Sequence, residues 1–152
     1  MAFDTPAGTR GARQPRAGLV RWANKMAAGR IRRSGKMMGF NALILHTGGA
    51  KSGADRITPV GWFPGTDDSW LIVASAAGAR RNPAWYHNIA AHPDKVRIEV
   101  NGQAIPVAAE QLHGTERDQA WQQITSTAPR FGQYQQKTDR QMPVIRLVQQ
   151  TA

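Results

Sequence analysis

The chain has 152 residues, 41% of them hydrophobic, enough for one compact domain with a real core. It has no cysteine, which excludes disulfides, thiolate metal sites and redox thiols, so any redox chemistry must come from a bound cofactor. The net charge of +10 is concentrated at the start: residues 1–40 carry nine Lys/Arg against Asp4 alone, or +8, and everything after Phe40 carries only +2. The basicity therefore belongs to an N-terminal arm, which suits an anionic lipid surface as well as nucleic acid.

Residues 1–17 are rich in Gly, Pro, Arg and Ala, and this composition predicts a disordered basic tail. Residues 18–36 predict a basic amphipathic helix. Leu19, Trp22, Ala23, Met26, Ala27 and Ile31 recur near helical spacing, while Arg21, Lys25 and Arg32 face elsewhere. Gly35 and Gly39 separate this helix from a domain spanning 37–152. No apolar run is long enough to cross a bilayer, and the start lacks the pattern of a secretory signal, so the expected location is the cytoplasm, at most peripheral on the inner face of the cell membrane.

Within the domain, Phe40–Thr47 predicts a buried strand, residues 48–55 a turn, and Arg56–Phe63 a returning strand that contains Pro59. A third strand follows at Trp70–Ser75. A helix is expected over Pro83–His92 with Pro83 as its first residue, where the missing N–H costs nothing. Val96–Val100 and Gln103–Ala109, joined by Asn101-Gly102, carry the signal of a hairpin with a type I′ turn. Thr115 is a candidate N-cap for a helix running to about Thr127, a second helical piece spans Pro129 to Asp139, and Val144–Val148 closes the chain as a strand. Short antiparallel strands with few helices between them predict an α+β, mainly β fold: a small barrel with appended helices rather than a doubly wound sheet.

Four places could carry chemistry. Gly48-Gly49-Ala50-Lys51-Ser52-Gly53 is not a Walker loop, since Ala50 stands where that pattern needs glycine, but a glycine-dense hairpin can still turn N–H groups onto a phosphate, with Lys51, Ser52, Arg56 and Thr58 adding charge and donors. The plain alternative is a solvated turn. Arg80 and Arg81 precede the Pro83 helix and offer a second anion contact or an ordinary exposed pair. Trp85, Tyr86 and His87 cannot all face one core, so at least one must face solvent or form the wall of a pocket for a flat ring. Phe131 and Tyr134, three apart, share a helix face, either packed on the barrel or lining a pocket mouth where the Tyr134 hydroxyl could donate to a substrate oxygen. No metal is expected: His87 and His92 are five apart, whereas a helical metal pair prefers four.

The run from about Leu43 to Val148 resembles the deazaflavin (coenzyme F420)-dependent nitroreductase and quinone reductase family of actinobacteria. The resemblance is carried by Leu45–Gly53, Arg56–Pro59, Val73–Ser75, Asn82–Ile89, Ala91–Pro93 and Tyr134–Val144 in order. It implies a split β-barrel of the FMN-binding, pyridoxamine-phosphate-oxidase-like kind. It also implies a reductase that delivers hydride from reduced F420 (F420H2) to quinones, enones or related electron-poor acceptors. The implied cofactor-binding residues are Ala50, Lys51, Ser52, Arg56, Ile57, Thr58, Pro59 and Val60 at the phosphate end, and Val73, Ala74, Ser75, Ala76, Ala84, Trp85, Tyr86, His87 and Asn88 around the ring. Phe131 and Tyr134 would form the substrate pocket, with Tyr134 and Ser75 polarising the acceptor. The chain departs from the family pattern at Ala50, where a basic residue is common, and at Ala128 and Phe131, where the nitroreductase has tyrosines. The lost hydroxyls weaken the case for nitroimidazole substrates. FMN on the same barrel is the alternative cofactor. A non-catalytic role, with the arm binding nucleic acid or the body sequestering cofactor, ranks lower, because the body lacks clustered bases and paired stacking aromatics. The expected partners are a small-molecule hydride acceptor and an anionic membrane surface.

Overall fold

A computed structural model describes residues 3–14, 16–37 and 39–150. Its elements in chain order are α1 (Ala17–Ser34), β1 (Lys36–Met37), β2 (Phe40–Gly48), β3 (Asp55–Gly61), β4 (Phe63–Pro64), β5 (Trp70–Val73), α2 (Ala84–Ala91), β6 (Arg97–Val100), β7 (Gln103–Gln111), α3 (Gly114–Thr127), α4 (Arg130–Lys137) and β8 (Val144–Gln149). The strands form one antiparallel sheet in the order β1-β2-β6-β7-β8-β5-β4, with β3 also paired to β2. β7 bends the sheet by changing partner: Gln103–Pro106 pair with β6, and Val107–Gln111 pair with β8. The result is a split β-barrel with appended helices.

β2 shows why the sheet curls around a core and still carries a helix outside. Its odd residues Leu43 and Leu45 point inward with Ile72, Trp85, Ile89, Ile98, Ile145 and Leu147, while its even residues Ala42 and Ile44 pack under Ala28 and Ile31 of α1. Alternation along one strand thus serves two layers. A third cluster lies under α3 and α4, where Ile124, Ala128 and Phe131 cover Leu71, Val73 and Val144. Pro59 sits within β3 opposite Ile44, tolerated because β3 pairs on one side only. The β6–β7 turn has φ 51° at Asn101 and 78° at Gly102, as a type I′ turn requires.

Several local expectations differ from the structure. Pro83 is the N-cap of α2, with extended ψ of 157°, rather than its first helical residue. His113, not Thr115, caps α3. α1 is amphipathic, but its buried residues are Ala28 and Ile31, with Val20, Asn24 and Ala27 half-buried. Leu19, Trp22 and Met26 are 59%, 62% and 56% exposed. Three of the helix's large apolar residues therefore face outward, and Ile31 faces in.

The clearest difference lies at the N-terminus. Residues 3–14 do not form a free tail but run as a strap across the body. The Phe3 ring lies 5.0 Å from that of Tyr86, and the Thr5 N–H donates to the Tyr86 hydroxyl at 3.1 Å. Gly8 N–H donates to Arg80 O at 2.8 Å and Ala12 N–H to Gly78 O at 3.0 Å. Thr9 bonds Asp139 through both its N–H (2.7 Å) and its hydroxyl (2.5 Å). Apart from the Phe3 ring and the Thr9 hydroxyl, these contacts use backbone N–H groups and place no demand on apolar composition, so composition did not disclose them.

Candidate active site: an acid-free cationic cavity

Under α1, beside the β2–β3 loop and the start of α2, lies a cavity of about 980 Å³. Its wall brings together elements distant in sequence. The β2–β3 loop and β3 supply Ala50, Lys51, Ser52, Arg56, Ile57, Thr58, Pro59 and Val60. The end of β5 and its following turn supply Val73, Ser75, Ala76 and Ala77. α2 and the residues before it add Arg81, Ala84, Trp85, His87 and Asn88, and α4 adds Arg130, Phe131 and Tyr134. Five of the lining residues are cationic (Arg21, Lys51, Arg56, Arg81 and Arg130), and none is an Asp or Glu. The remaining surface is mostly apolar or aromatic. This is the surface an amphiphilic, multiply charged anion with a flat ring would match.

The loop at the cationic end is built by its own hydrogen bonds. Gly53 has φ 70°, a conformation side chains resist, and its N–H donates to Gly49 O at 2.7 Å, while Gly49 N–H returns to Ala54 O at 2.8 Å. Ser52 Oγ accepts from Ala54 N–H at 3.2 Å. Asn88, one turn into α2, accepts from Ala50 N–H at 3.0 Å and donates to Thr47 Oγ1 at 3.1 Å. Asn88 was expected at the ring; it lines the cavity and also clamps the loop.

Two of the expected ring residues do not reach the cavity. Ala74 is fully buried in the barrel core and Tyr86 is 2% exposed. The Tyr86 hydroxyl donates to Gln111 Oε1 at 2.5 Å and accepts from the strap, so it anchors residues 3–5. On a helix, Trp85 and Tyr86 point about 100° apart, and Trp85, with His87, faces the cavity. Phe131 and Tyr134 do share a face, with rings 5.7 Å apart and edge-on, and both line the cavity.

The sequence reading missed the contribution of α1. Val20, Arg21 and Asn24 line the cavity, with Met37 and Phe40 beyond them. The available signal was the Val20, Asn24, Ala28, Ile31 spacing, but the bulkier Leu19, Trp22 and Met26 drew attention to the opposite face. α1 is held by charge as well as packing: Arg32 donates to both Glu99 oxygens at 3.1 and 3.0 Å, and Glu99 also meets His46 Nε2 at 2.5 Å. Arg32, then His46, holds the Glu99 carboxyl down at about 2, although its partial burial opposes this.

Residues 19–149 match the model of the F420H2-dependent quinone reductase family. The chain belongs to that family. An F420H2-dependent quinone reductase of Mycobacterium tuberculosis (strain H37Rv) is 39% identical over 107 residues, covering 68% of this chain and 70% of the relative. A second M. tuberculosis protein, whose name gives the same activity as putative, is 33% identical over 104 residues and is covered to 85%. Among solved structures, an F420H2-dependent reductase called FDR-A superposes with a TM-score of 0.62 at 33% identity, over 70% of this chain and 92% of that one. HutZ, the haem-storage protein of Vibrio cholerae, matches at a TM-score of 0.53 and 14% identity, and shares the fold alone.

Family membership and the acid-free cavity agree on the cofactor. Reduced F420 has an anionic tail and a flat deazaflavin, and the cavity wall offers cations such as Lys51 and Arg56 together with apolar and aromatic residues such as Val73, Ala84 and Trp85. The residues present fit the group.

Proposed function

We propose that this chain is an F420H2-dependent reductase that reduces quinone-type acceptors, and that enones of similar polarity are secondary substrates. The observation that carries the reading is the cavity lined by five cations and no acid, in a chain of this family. Lys51, Ser52 and Arg56 would hold the phosphate end through charge and hydroxyl donation. Val73, Ser75, Ala76, Ala84, Trp85 and His87 would flank the ring. When bound, F420H2 supplies the hydride, and F420H2 plus quinone gives F420 plus quinol.

The chain's own contribution is to orient the reactants and to donate hydrogen bonds. Tyr134, half-buried and fixed edge-on against Phe131, presents a hydroxyl to the acceptor side. There it would donate to the carbonyl oxygen that gains negative charge as hydride arrives. Ser75, at the start of the turn that packs against α4, would assist. Phe131 and Phe40 keep that side apolar and exclude water from the transfer.

The acceptor's route suggests a place of work. Leu19, Trp22 and Met26 project outward from α1 with Lys25 exposed among them, while Val20, Arg21 and Asn24 of the same helix line the cavity. Docked on an anionic bilayer through that outer face, the cavity would lie near the depth where lipid-soluble quinones reside. No helix among the described residues is long and apolar enough to cross a membrane, so the association would be peripheral, at the inner face of the cell membrane.

The test is direct: oxidation of F420H2 by a panel of quinones and enones, with Tyr134→Phe and Lys51→Ala alongside. Quinone-dependent turnover is expected. A protein that binds F420H2 but oxidises it with no quinone would refute the reductase reading.

A further inference from the structure

Arg140 is 2% exposed, yet the hydrogen bonds of its guanidinium all go to neutral groups. Nη1 donates to Ala74 O at 2.9 Å and Asn82 Oδ1 at 2.7 Å, Nη2 to Ser75 O at 2.9 Å and Ala79 O at 3.0 Å, and Nε to Ala79 O at 3.2 Å. The adjoining Asp139 carboxylate turns outward to the strap, where it accepts from Thr9 and Arg10. Among the described residues Arg140 has no carboxylate partner. Taking a guanidinium out of water without an opposite charge is costly, and burial presses its pKa down without discharging it. Such a group requires a reason.

The acceptors supply one, because they all belong to the segment from the end of β5 to the start of α2. That segment turns through φ 45° at Ala76, 53° at Ala77 and 83° at Gly78. Two successive alanines in the left-handed region persist only where the surroundings hold them. The turn is held at its back as well: a Cβ on Gly78 would lie 2.5 Å from the Tyr134 carbonyl oxygen. Its front is cavity wall, with Ser75, Ala76 and Ala77 lining the site, whereas Arg140 itself does not.

We propose that Arg140 is a positioning residue of the cofactor site. It gathers the carbonyls of Ala74, Ser75 and Ala79 behind the wall, and its unneutralised charge there favours the anionic state of the ring bound in front. This deepens, and rests on, the F420 reading. Nearby charge of opposite sign stabilises an ionised group, and the hydroxylated deazaflavin loses a ring proton to give an anion with a distinct absorption spectrum. Lys51, Arg56, Arg81, Arg21 and Arg130 also face the cavity, as do His87 and Tyr134, so the diagnostic quantity is the difference between variants.

The experiment is a spectrophotometric pH titration of oxidised F420 bound to wild type, Arg140→Lys and Arg140→Gln, with F420 affinity and Tm measured for each. Arg140→Gln is expected to raise the midpoint of ring ionisation by about one pH unit, a tenfold change in that equilibrium, and to weaken binding about tenfold. Arg140→Lys should keep the midpoint near wild type while losing affinity, since it retains the charge but not the fork. Should Arg140→Gln fail to fold, Arg140→Met takes its place and the same one-unit rise is expected, while Asn82→Ala, which keeps the charge, should weaken binding with an unmoved midpoint. A folded Arg140→Gln with the wild-type midpoint, lower Tm and weaker binding would show a purely structural role and overturn the proposal. So would an Arg140→Lys or Asn82→Ala midpoint raised by a full unit. Wild type that binds no F420 would overturn the functional reading and this proposal together. Binding with a midpoint unmoved by loss of the charge at residue 140 would overturn the proposal alone.

Discussion

The Ala50 backbone N–H donates to the Asn88 side chain at 3.0 Å, which ties the glycine loop after β2 to the first turns of α2. Because Asn88 also donates to Thr47 Oγ1 at 3.1 Å, one buried amide fixes both the base and the shoulder of the loop. The lysine and serine that follow are thus held by a residue 38 positions beyond Ala50. Asn88→Ala should remove both bonds and leave the Thr47 hydroxyl buried without its partner. F420 affinity is expected to fall about tenfold, equivalent to about 1.4 kcal/mol, with a measurable drop in Tm. Isothermal titration alongside a melting curve checks it; unchanged affinity would mean that the loop holds its shape without the clamp.

Much of this was legible in the sequence, and what was not has a physical reason. The Gly48–Gly53 loop, the Asn101-Gly102 turn and the Phe131–Tyr134 face were readable because each depends on local residue chemistry. Tyr86 was not, because the choice between cavity and core on adjacent helical positions is made by Gln111 and the strap, both remote in sequence. The strap itself was invisible, since it is fixed largely through backbone groups and short polar side chains whose partners, among them Arg80, Gln111 and Asp139, are remote in sequence, in a stretch whose composition reads as disorder. On α1, Ala28 and Ile31 pack against Ala42 and Ile44 of β2, a choice of face that the helix's own composition does not reveal.

The carboxyl of Asp139 is held down at about 2, first by the Thr9 hydroxyl and then by the Thr9 backbone N–H. A depressed carboxylate stabilises the state that binds it above its ordinary pKa, and that stabilisation is lost as pH falls from 3.8 towards about 2. The strap should therefore loosen in that window. Amide hydrogen exchange at Gly8 and Ala12 is the readout, and Asp139→Asn is expected to give fast exchange already at neutral pH. Slow exchange in the variant would show that the backbone bonds to Arg80 and Gly78 suffice.

Glu99 makes a parallel case for α1. Its carboxyl lies at about 2 against an ordinary 4.5, so the Arg32 and His46 contacts stabilise the docked helix at neutral pH and weaken as pH drops through that interval. Glu99→Gln should flatten the acid limb of the stability curve between those values and lower Tm at pH 7. An acid limb identical to wild type would place the sensitivity elsewhere. Ile31→Ala, by contrast, should destabilise the protein by about 3 kcal/mol at every pH, as expected for a buried apolar truncation.

Replacing Trp22 and Met26 with serine should release the protein from anionic liposomes while leaving the cavity intact, because both side chains are more than half exposed. Vesicle co-sedimentation at low and physiological salt is the measurement. Loss of at least tenfold in partitioning is expected. Equal sedimentation of variant and wild type would refute a membrane role for this face of α1.

Tyr134→Phe keeps the ring that packs on Phe131 and removes only the hydroxyl. F420 affinity should be unchanged and kcat with quinone should fall about a hundredfold to a thousandfold, the range expected for loss of one donor to developing charge. Steady-state kinetics beside a binding titration separates the two effects, and an unaltered kcat would remove Tyr134 from the chemistry.

The most direct test of the account is equilibrium titration of the purified protein with F420 and FMN, followed by fluorescence, for wild type and Lys51→Ala. Selective binding of F420 is predicted, weakened about tenfold by Lys51→Ala and progressively by salt, as an acid-free cationic cavity demands. Selective binding of FMN, or F420 binding indifferent to both Lys51 and salt, would contradict it.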